Sequence, residues 1–425
     1  MDNRIRNVLW MGIEKCISVI GVFVITAAMA NYIGAFYFGA ISYAASIFSL
    51  AYIVSSLGAD SAIIRKGSIF DKGGEFRSLY IMLIRTLLYI LISILVFIYL
   101  FLSKKIADQT LIFLIFSVFL SQLLLSLDFF SIINNYRLKS KINTLSNVIG
   151  LVIALVIRFV FVKIQVPVVY FSIPIVISPF VSLVIKCIST DISKLSYCKL
   201  GRINVSRSLK TVSFLFPFAI TSISANIYNR IPLIFITSIL GFNSAGVFSC
   251  ALTFSTAWSF FPNSLISSFI PEFYKKSNGE DFQYLSKIIF MVFLCCLFIS
   301  ILIVLIVPYL IPYLYGSEYE KSISLVPAML VSTVLGMIGN TIYHVFIKTK
   351  GYKFVMIKTL ICAICSLFIT FIAITYFKLL GGVLSLVLIE IISLFLMNGM
   401  YKKAKVNFIL YNSFKLSTIR KLRQL

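Results

Sequence analysis

The sequence predicts an all-α integral membrane protein with twelve transmembrane helices in two parallel six-helix bundles. Hydrophobic residues make up 60% of the 425 residues and charged residues only 12%, a composition that excludes an ordinary soluble domain. Apolar runs recur along the whole chain, and about 20 apolar residues suffice to cross a ~30 Å hydrocarbon layer as a helix. A short motif also repeats almost half a chain apart, which indicates a duplicated unit.

The apolar runs are predicted to be helices because every backbone N–H and C=O group in lipid must be paired internally. The first six runs cover Trp10–Ile33, Gly39–Ala59, Leu79–Leu102, Thr110–Ile133, Ile142–Val162 and Val168–Ile188. The other six cover Thr211–Leu240, Gly246–Ile270, Ile288–Pro312, Ile323–Ile347, Phe354–Phe377 and Gly381–Tyr401.

The repeated motif lies at equivalent places in this layout. Its copies are GAFYFGAISYA, Gly34 to Ala44, and GFNSAGVFSCA, Gly241 to Ala251, and they lie 207 positions apart. Because an even number of spans separates the copies, both run in the same direction across the membrane, as in transporters built from two matching bundles. We expect Gly39 and Gly246 to open helices after tight external turns, where a residue without Cβ permits unusual dihedral angles.

The longest cytoplasmic connection is predicted to divide the bundles. We therefore expect an N-terminal six-helix bundle at 1–200, a C-terminal six-helix bundle at 201–405 and a basic cytoplasmic tail at 406–425. Prolines concentrate in the seventh to ninth spans, which makes the second bundle the expected place for bends.

The net charge of +24 is explained by topology rather than by nucleic-acid binding. Lys and Arg alternate between successive connections, with 29 on one side of the membrane and five on the other. Cytoplasmic loops have such an excess of basic residues, so both termini are predicted to be cytoplasmic. No nucleic-acid partner is expected.

Motifs for nucleotide, metal or enzyme chemistry are missing from the sequence. The chain contains no G-x-x-x-x-G-K-[ST] motif, which a nucleotide-hydrolysing P-loop requires. No cluster of His, Cys and Asp has metal-ligand spacing. We therefore expect no cofactor, no metal and no enzymatic activity.

Four cations are not explained by the loops: Lys15, Arg85, Arg158 and Arg230. A charge at the centre of a membrane helix costs about 2.5–3.5 kcal/mol and normally faces a cavity or a partner. Lys15 and Arg85 fit the membrane interface equally well if the first span begins at Cys16 and the third at Thr86. Arg158 lies toward the outer end of its span, where it could either face a cavity or snorkel to the surface.

Arg230 is the strongest candidate for substrate binding. It lies deep in the seventh span, where no other charge occurs, and Asn226 and Asn229 precede it. Asn226 lies at i−4 and therefore on the same helical face. An arginine flanked by amides suits an anion, particularly phosphate, which it binds with a planar fork of donors. The alternative is an arginine that carbonyls and one acid satisfy between helices.

Two acids inside or beside the spans are candidates for ion coupling. Glu390 lies at the middle of the twelfth span and is either the counter-charge of Arg230 or a titratable coupling group. Glu14, at the start of the first span, is the second candidate. The single histidine, His344, is expected to be a packing residue near the cytoplasmic end of the tenth span.

Two segments resemble the Wzx-type O-antigen flippases of the polysaccharide biosynthesis transporters. The first is LGADSAIIRKG, Leu57 to Gly67, which follows the first copy of the repeated motif. The second is NRIPLIFITSILGFNSAGVFS, Asn229 to Ser249, which is similar to the start of the second half in that family. One departure is Asn229, which stands where an acidic residue is common.

The resemblance implies a MATE-like fold, from the multidrug/oligosaccharidyl-lipid/polysaccharide exporter superfamily. It also implies flipping of an undecaprenyl-pyrophosphate-linked oligosaccharide across the bacterial inner membrane by alternating access, with the polysaccharide polymerase and chain-length machinery as further partners. Arg230, Asn226, Asn229, Arg158 and Arg85 would bind that substrate. Two alternatives stay open: a MATE-like cation-coupled drug exporter and a membrane-embedded polymerase or glycosyltransferase.

Overall fold

Helices form all the regular structure in the described part of this computed structural model. The structure describes residues 3–56, 74–103, 108–136, 139–190, 205–276, 280–401 and 406–415, with side chains except for 3–20, 22, 74–81, 136, 205–216 and 218. Within that part, nine helices are long and apolar enough to cross a membrane. The prediction of an all-α membrane fold is confirmed.

The chain divides into two compact units, Met1–Ile223 and Ser224–Leu425. The break falls inside one long helix, and the boundaries at 200 and 405 stay a prediction. The first unit contains α1 (Asn3–Ser56), α2 (Gly74–Leu102), α3 (Gln109–Leu127), α4 (Phe130–Tyr136), α5 (Ser140–Ile164) and α6 (Ser172–Ser189).

The second unit begins within α7 (Val205–Leu240) and continues through six more helices. These are α8 (Phe242–Thr256), α9 (Phe260–Lys275), α10 (Glu280–Tyr315), α11 (Lys321–Lys348), α12 (Tyr352–Ile391) and α13 (Val406–Ser413). The tail predicted from residue 406 thus starts with a helix. It packs on α10, where the Ser286 hydroxyl donates to the Ile409 carbonyl at 3.1 Å.

The count of twelve separate helices is not exact, for three local reasons. The first two spans run together in α1 across a kink at Gly34, and the last two run together in α12 across a kink at Lys378. The eighth span is broken into α8 and α9 by a short 3₁₀ turn at Ala257–Ser259. Pro262 follows this turn, and its missing N–H cannot donate to the carbonyl four residues earlier.

The repeated motif has the same backbone conformation in both copies, at its first glycine rather than its second. Gly34 has φ 78° and ψ 167°, and Gly241 has φ 86° and ψ 177°. A side chain is strained at these positive φ values, so glycine is required at both turns. Gly39 and Gly246, which we expected at the turns, are buried inside helices. The LGADSAIIRKG segment lies outside the described residues.

Candidate functional site

Arg230 lies half-buried in α7, in the second unit. Among the described residues it forms no hydrogen bond and no ion pair. The exposed Asn229 donates its amide to the Ala225 carbonyl of the same helix at 2.9 Å. Asn226, one turn before Arg230, is half-buried. The guanidinium group of Arg230 is therefore available to a ligand.

Arg158 lies on the buried side of α5, in the first unit. Its Nε atom is buried and has no hydrogen-bond partner in the described part of the chain. α1 and α5 run side by side in the same direction here, because Gly21 faces Leu155 and the Tyr32 hydroxyl donates to the Val166 carbonyl at 2.8 Å. Arg158 thus has a buried donor that a ligand could satisfy.

Arg85, unlike Arg158 and Arg230, hydrogen-bonds to the end of another helix. It is only 3% exposed. Its guanidinium donates to the Ser126 carbonyl at 2.6 Å and 3.1 Å and to the Leu125 carbonyl at 3.1 Å. These carbonyls belong to the last turn of α3, where intrahelical donors run out; the Leu125 carbonyl also accepts from the Asp128 N–H at 3.3 Å. Arg85 therefore stabilises the break between α3 and α4.

The same break contains a buried ion pair that sequence analysis missed. Asp128, which follows α3, pairs with Lys186 of α6 at 2.7 Å, and both side chains are less than a tenth exposed. Lys186 also donates to the Asn147 amide oxygen at 2.8 Å. Lys186 is one of the 29 basic residues that the charge pattern assigns to the cytoplasmic side. The signal that could have found the pair is Asp128, an acid inside an otherwise apolar run.

Glu390 lies in α12, in the second unit, and is half-buried. Its carboxyl group lies against α11 at Gly336, where an added Cβ would be 3.5 Å from its Oε1 atom. Lys358 and Tyr228 both lie close enough to the Glu390 carboxyl group to interact with it electrostatically. Among the described residues Glu390 forms no ion pair with Arg230, as it would if it were the counter-charge of that arginine.

Lys358, also counted among the 29 basic residues of the cytoplasmic connections, is buried as well. It is 8% exposed and donates to the Asn398 amide oxygen at 2.7 Å. Asn398 follows a short π-helix, Ile392–Met397, which begins directly after α12. Its amide nitrogen is buried without a partner among the described residues. π-Helical turns are rare and occur frequently at functional sites, so this end of α12 is a candidate region for ion coupling.

The remaining residues that the sequence analysis singled out are Glu14 and His344. Glu14 lies outside the residues whose side chains are described. His344 is half-buried on α11, and its Nδ1 atom is hydrogen-bonded to the Tyr274 hydroxyl at 2.9 Å. Among the described residues, no group of three or more His, Cys, Asp and Glu could hold a metal ion.

The fold and its unpaired arginines define a multi-pass membrane protein with polar groups inside its bundles. A family model for "Polysaccharide biosynthesis protein" matches residues 5–277, and the chain belongs to that family. No curated protein matches it in sequence.

Solved structures show the fold. The structure of the lipid II flippase MurJ in an inward closed conformation matches with a TM-score of 0.73 at 15% identity, over 98% of this chain and 92% of that one. An inward-facing multidrug resistance MATE family transporter matches with a TM-score of 0.65 at 16% identity, over 91% and 94%. The predicted MATE-like fold is confirmed.

Proposed function

We propose that this protein flips an undecaprenyl-pyrophosphate-linked oligosaccharide from the cytoplasmic to the outer leaflet of the bacterial inner membrane. The polysaccharide biosynthesis family supports a saccharide substrate. The fold supports transport because it is shared with a lipid flippase and with drug transporters. O-antigen units are the proposed oligosaccharide, and the polymerase and chain-length machinery would use the flipped product.

The unpaired guanidinium of Arg230 is the observation on which this proposal depends. A pyrophosphate group cannot enter hydrocarbon unless its charge is compensated. A guanidinium offers a planar fork of donors that fits phosphate oxygens. Arg158 offers a second unpaired donor, while Asn226 lies one turn from Arg230. Arg85 and Asn229 have less to offer, since backbone carbonyls already accept from both.

Substituting Arg230 tests the proposal. We expect Arg230→Ala to abolish surface polysaccharide at an unchanged protein level, measured by glycan staining and immunoblotting. Arg230→Lys should restore part of it, because the charge returns without the planar fork. Asn229→Ala is the matched control and should leave most of the polysaccharide, since that amide is bonded within α7. Normal polysaccharide in Arg230→Ala would contradict the assignment.

A cation-coupled drug exporter is the second candidate, favoured by the half-buried carboxylate Glu390 and by Tyr228, with which it interacts electrostatically. A cationic drug would find an acid and an aromatic surface there. Lys358 argues against a drug site here, because its positive ammonium group already interacts electrostatically with the Glu390 carboxylate. Resistance to cationic drugs that depends on this protein would favour the exporter over the flippase.

A further inference from the structure

Three residues on one face of α11, in the second unit, are polar or contact a polar side chain. Gly336, Asn340 and His344 are spaced four residues apart, which places them on one face over about 12 Å of helix. Gly336 faces the Glu390 carboxyl group. Asn340 and His344 each bond to α9. This row, together with its two α9 partners, is called the α9–α11 polar stripe below.

The two bridges of the stripe connect the same pair of helices. The Asn340 amide nitrogen donates to the Asn263 amide oxygen at 3.0 Å. The Tyr274 hydroxyl and His344 Nδ1 lie 2.9 Å apart, and their rings meet edge to face. Asn340 and Tyr274 are both exposed. The polar groups are therefore ordered by their partners and still accessible.

The amide side chains of Asn263 and Asn340 lie deep inside predicted membrane spans. Asn263 and Asn340 lie about two-thirds of the way along the predicted eighth and tenth spans. Amides at this depth are tolerated only where they face other protein groups or a water-filled cavity, because lipid tails offer no hydrogen bonds. The exposed amide of Asn340, bonded to the half-buried Asn263, therefore indicates a cavity wall rather than a lipid-facing surface.

The hydrogen-bond donors and acceptors of the stripe that have no protein partner suit an uncharged polar ligand. Within the described residues, the Asn263 amide nitrogen and the Asn340 amide oxygen have no other hydrogen-bond partner. The pair thus presents donors on one residue and an acceptor on the other, and a sugar hydroxyl both donates and accepts. The adjacent hydroxyls of Ser264, Ser267 and Ser268 donate to their own helix and keep acceptor positions.

We propose that the α9–α11 polar stripe binds the oligosaccharide part of the transported lipid, apart from the pyrophosphate at Arg230. Neutral amides give little affinity for a phosphate but match the hydroxyl groups of sugars, and the partly exposed Tyr274 ring offers a flat surface for a sugar face. This inference rests on the proposed function. It adds a separate subsite for the sugars and names its residues.

Binding to the purified full-length protein tests the subsite. The probes are undecaprenyl pyrophosphate alone and the lipid-linked oligosaccharide extracted from the host strain, with affinity measured by native mass spectrometry. We expect the glycosylated lipid to bind the unaltered protein about tenfold more tightly, as two or so added hydrogen bonds would give. The double variant Asn263→Ala/Asn340→Ala should lose this tenfold difference and keep its affinity for undecaprenyl pyrophosphate.

Two controls separate this inference from the proposed function. Ser324→Ala, an exposed hydroxyl at the other end of α11, should keep the difference. Arg230→Ala should weaken binding of both lipids. Equal affinity of the unaltered protein for the two lipids, or a difference that survives in the double variant, would overturn the sugar subsite and leave the flippase standing. Failure of both lipids to bind the unaltered protein would overturn both proposals.

Discussion

At the scale of single residues, three arginines that look alike in the sequence have different surroundings. Arg85 donates three hydrogen bonds to carbonyls at the end of α3. Arg158 and Arg230 form none among the described residues. Sequence analysis could rank them only by depth in their spans. Whether a guanidinium is satisfied depends on which helix end packs beside it, and that is a tertiary property.

Substituting Arg85 should therefore affect stability before it affects binding. Hydrogen bonds to charged groups contribute about 1.5–3 kcal/mol each. Without Arg85 the Leu125 and Ser126 carbonyls would keep only the longer bonds from the Asp128 N–H at 3.3 Å and the Thr86 hydroxyl at 3.4 Å. We expect Arg85→Met to lower the free energy of unfolding by about 3 kcal/mol, measured by urea unfolding of the purified protein in detergent. Its affinity for undecaprenyl pyrophosphate should stay within a few-fold of the unaltered protein. Unchanged stability together with lost binding would instead assign Arg85 to the substrate.

At the scale of elements, α12 and the π-helix after it hold one group of interacting polar side chains in the second unit. Lys358, Glu390 and Asn398 all belong to this continuous stretch of chain, although Glu390 and Asn398 lie far from Lys358 in sequence. The kink at Lys378 folds the two predicted spans back on each other, which brings these groups together. Sequence analysis placed Glu390 correctly inside a span but counted Lys358 as a loop residue, because a basic residue near a span end also fits the interface.

Glu390 is the described residue that we propose for ion coupling. We expect flipping in proteoliposomes to speed up when a proton or sodium gradient is imposed. Glu390→Gln should remove this response, because the amide keeps the shape of the side chain but can neither titrate nor hold a cation by charge. Transport of a fluorescent lipid-linked oligosaccharide gives the measurement. Glu320→Gln, an exposed acid before α11, is the matched control and should respond normally.

A gradient response that is unchanged in Glu390→Gln would contradict this role. Lys358→Met gives a complementary variant. It removes the ammonium group that interacts electrostatically with Glu390 and that donates a hydrogen bond to Asn398. Loss of the response in both variants would indicate that the pair works as a unit.

The repeated motif shows what a sequence comparison of elements can and cannot predict. It correctly indicated two equivalent turns, and both have a glycine at positive φ. It pointed to the wrong glycine of each pair, because identity alone does not distinguish a turn residue from a buried helix residue. Only the backbone angles at Gly34 and Gly241 make that distinction.

At the scale of the whole molecule, orientation in the membrane is predicted by the distribution of basic residues. Twenty-nine basic residues are expected on the cytoplasmic side and five outside, and such an excess sets orientation during insertion. A green fluorescent protein fused after Leu425 should therefore fluoresce. Alkaline phosphatase fused at Asp108, in a connection expected to be external, should be active. Activity of a phosphatase fused after Leu425 would reverse the predicted topology.

Hydropathy and the repeated motif were enough to predict the helical membrane class and the two equivalent turns. These are properties of chain segments, since a helix that crosses lipid satisfies its own backbone and needs only length and apolarity. The tertiary structure decided which charges are paired. Arg85 on the end of α3, Lys186 with Asp128 and Lys358 with Asn398 each join groups from different helices, and no local pattern encodes which helix end, acid or amide will face a given cation.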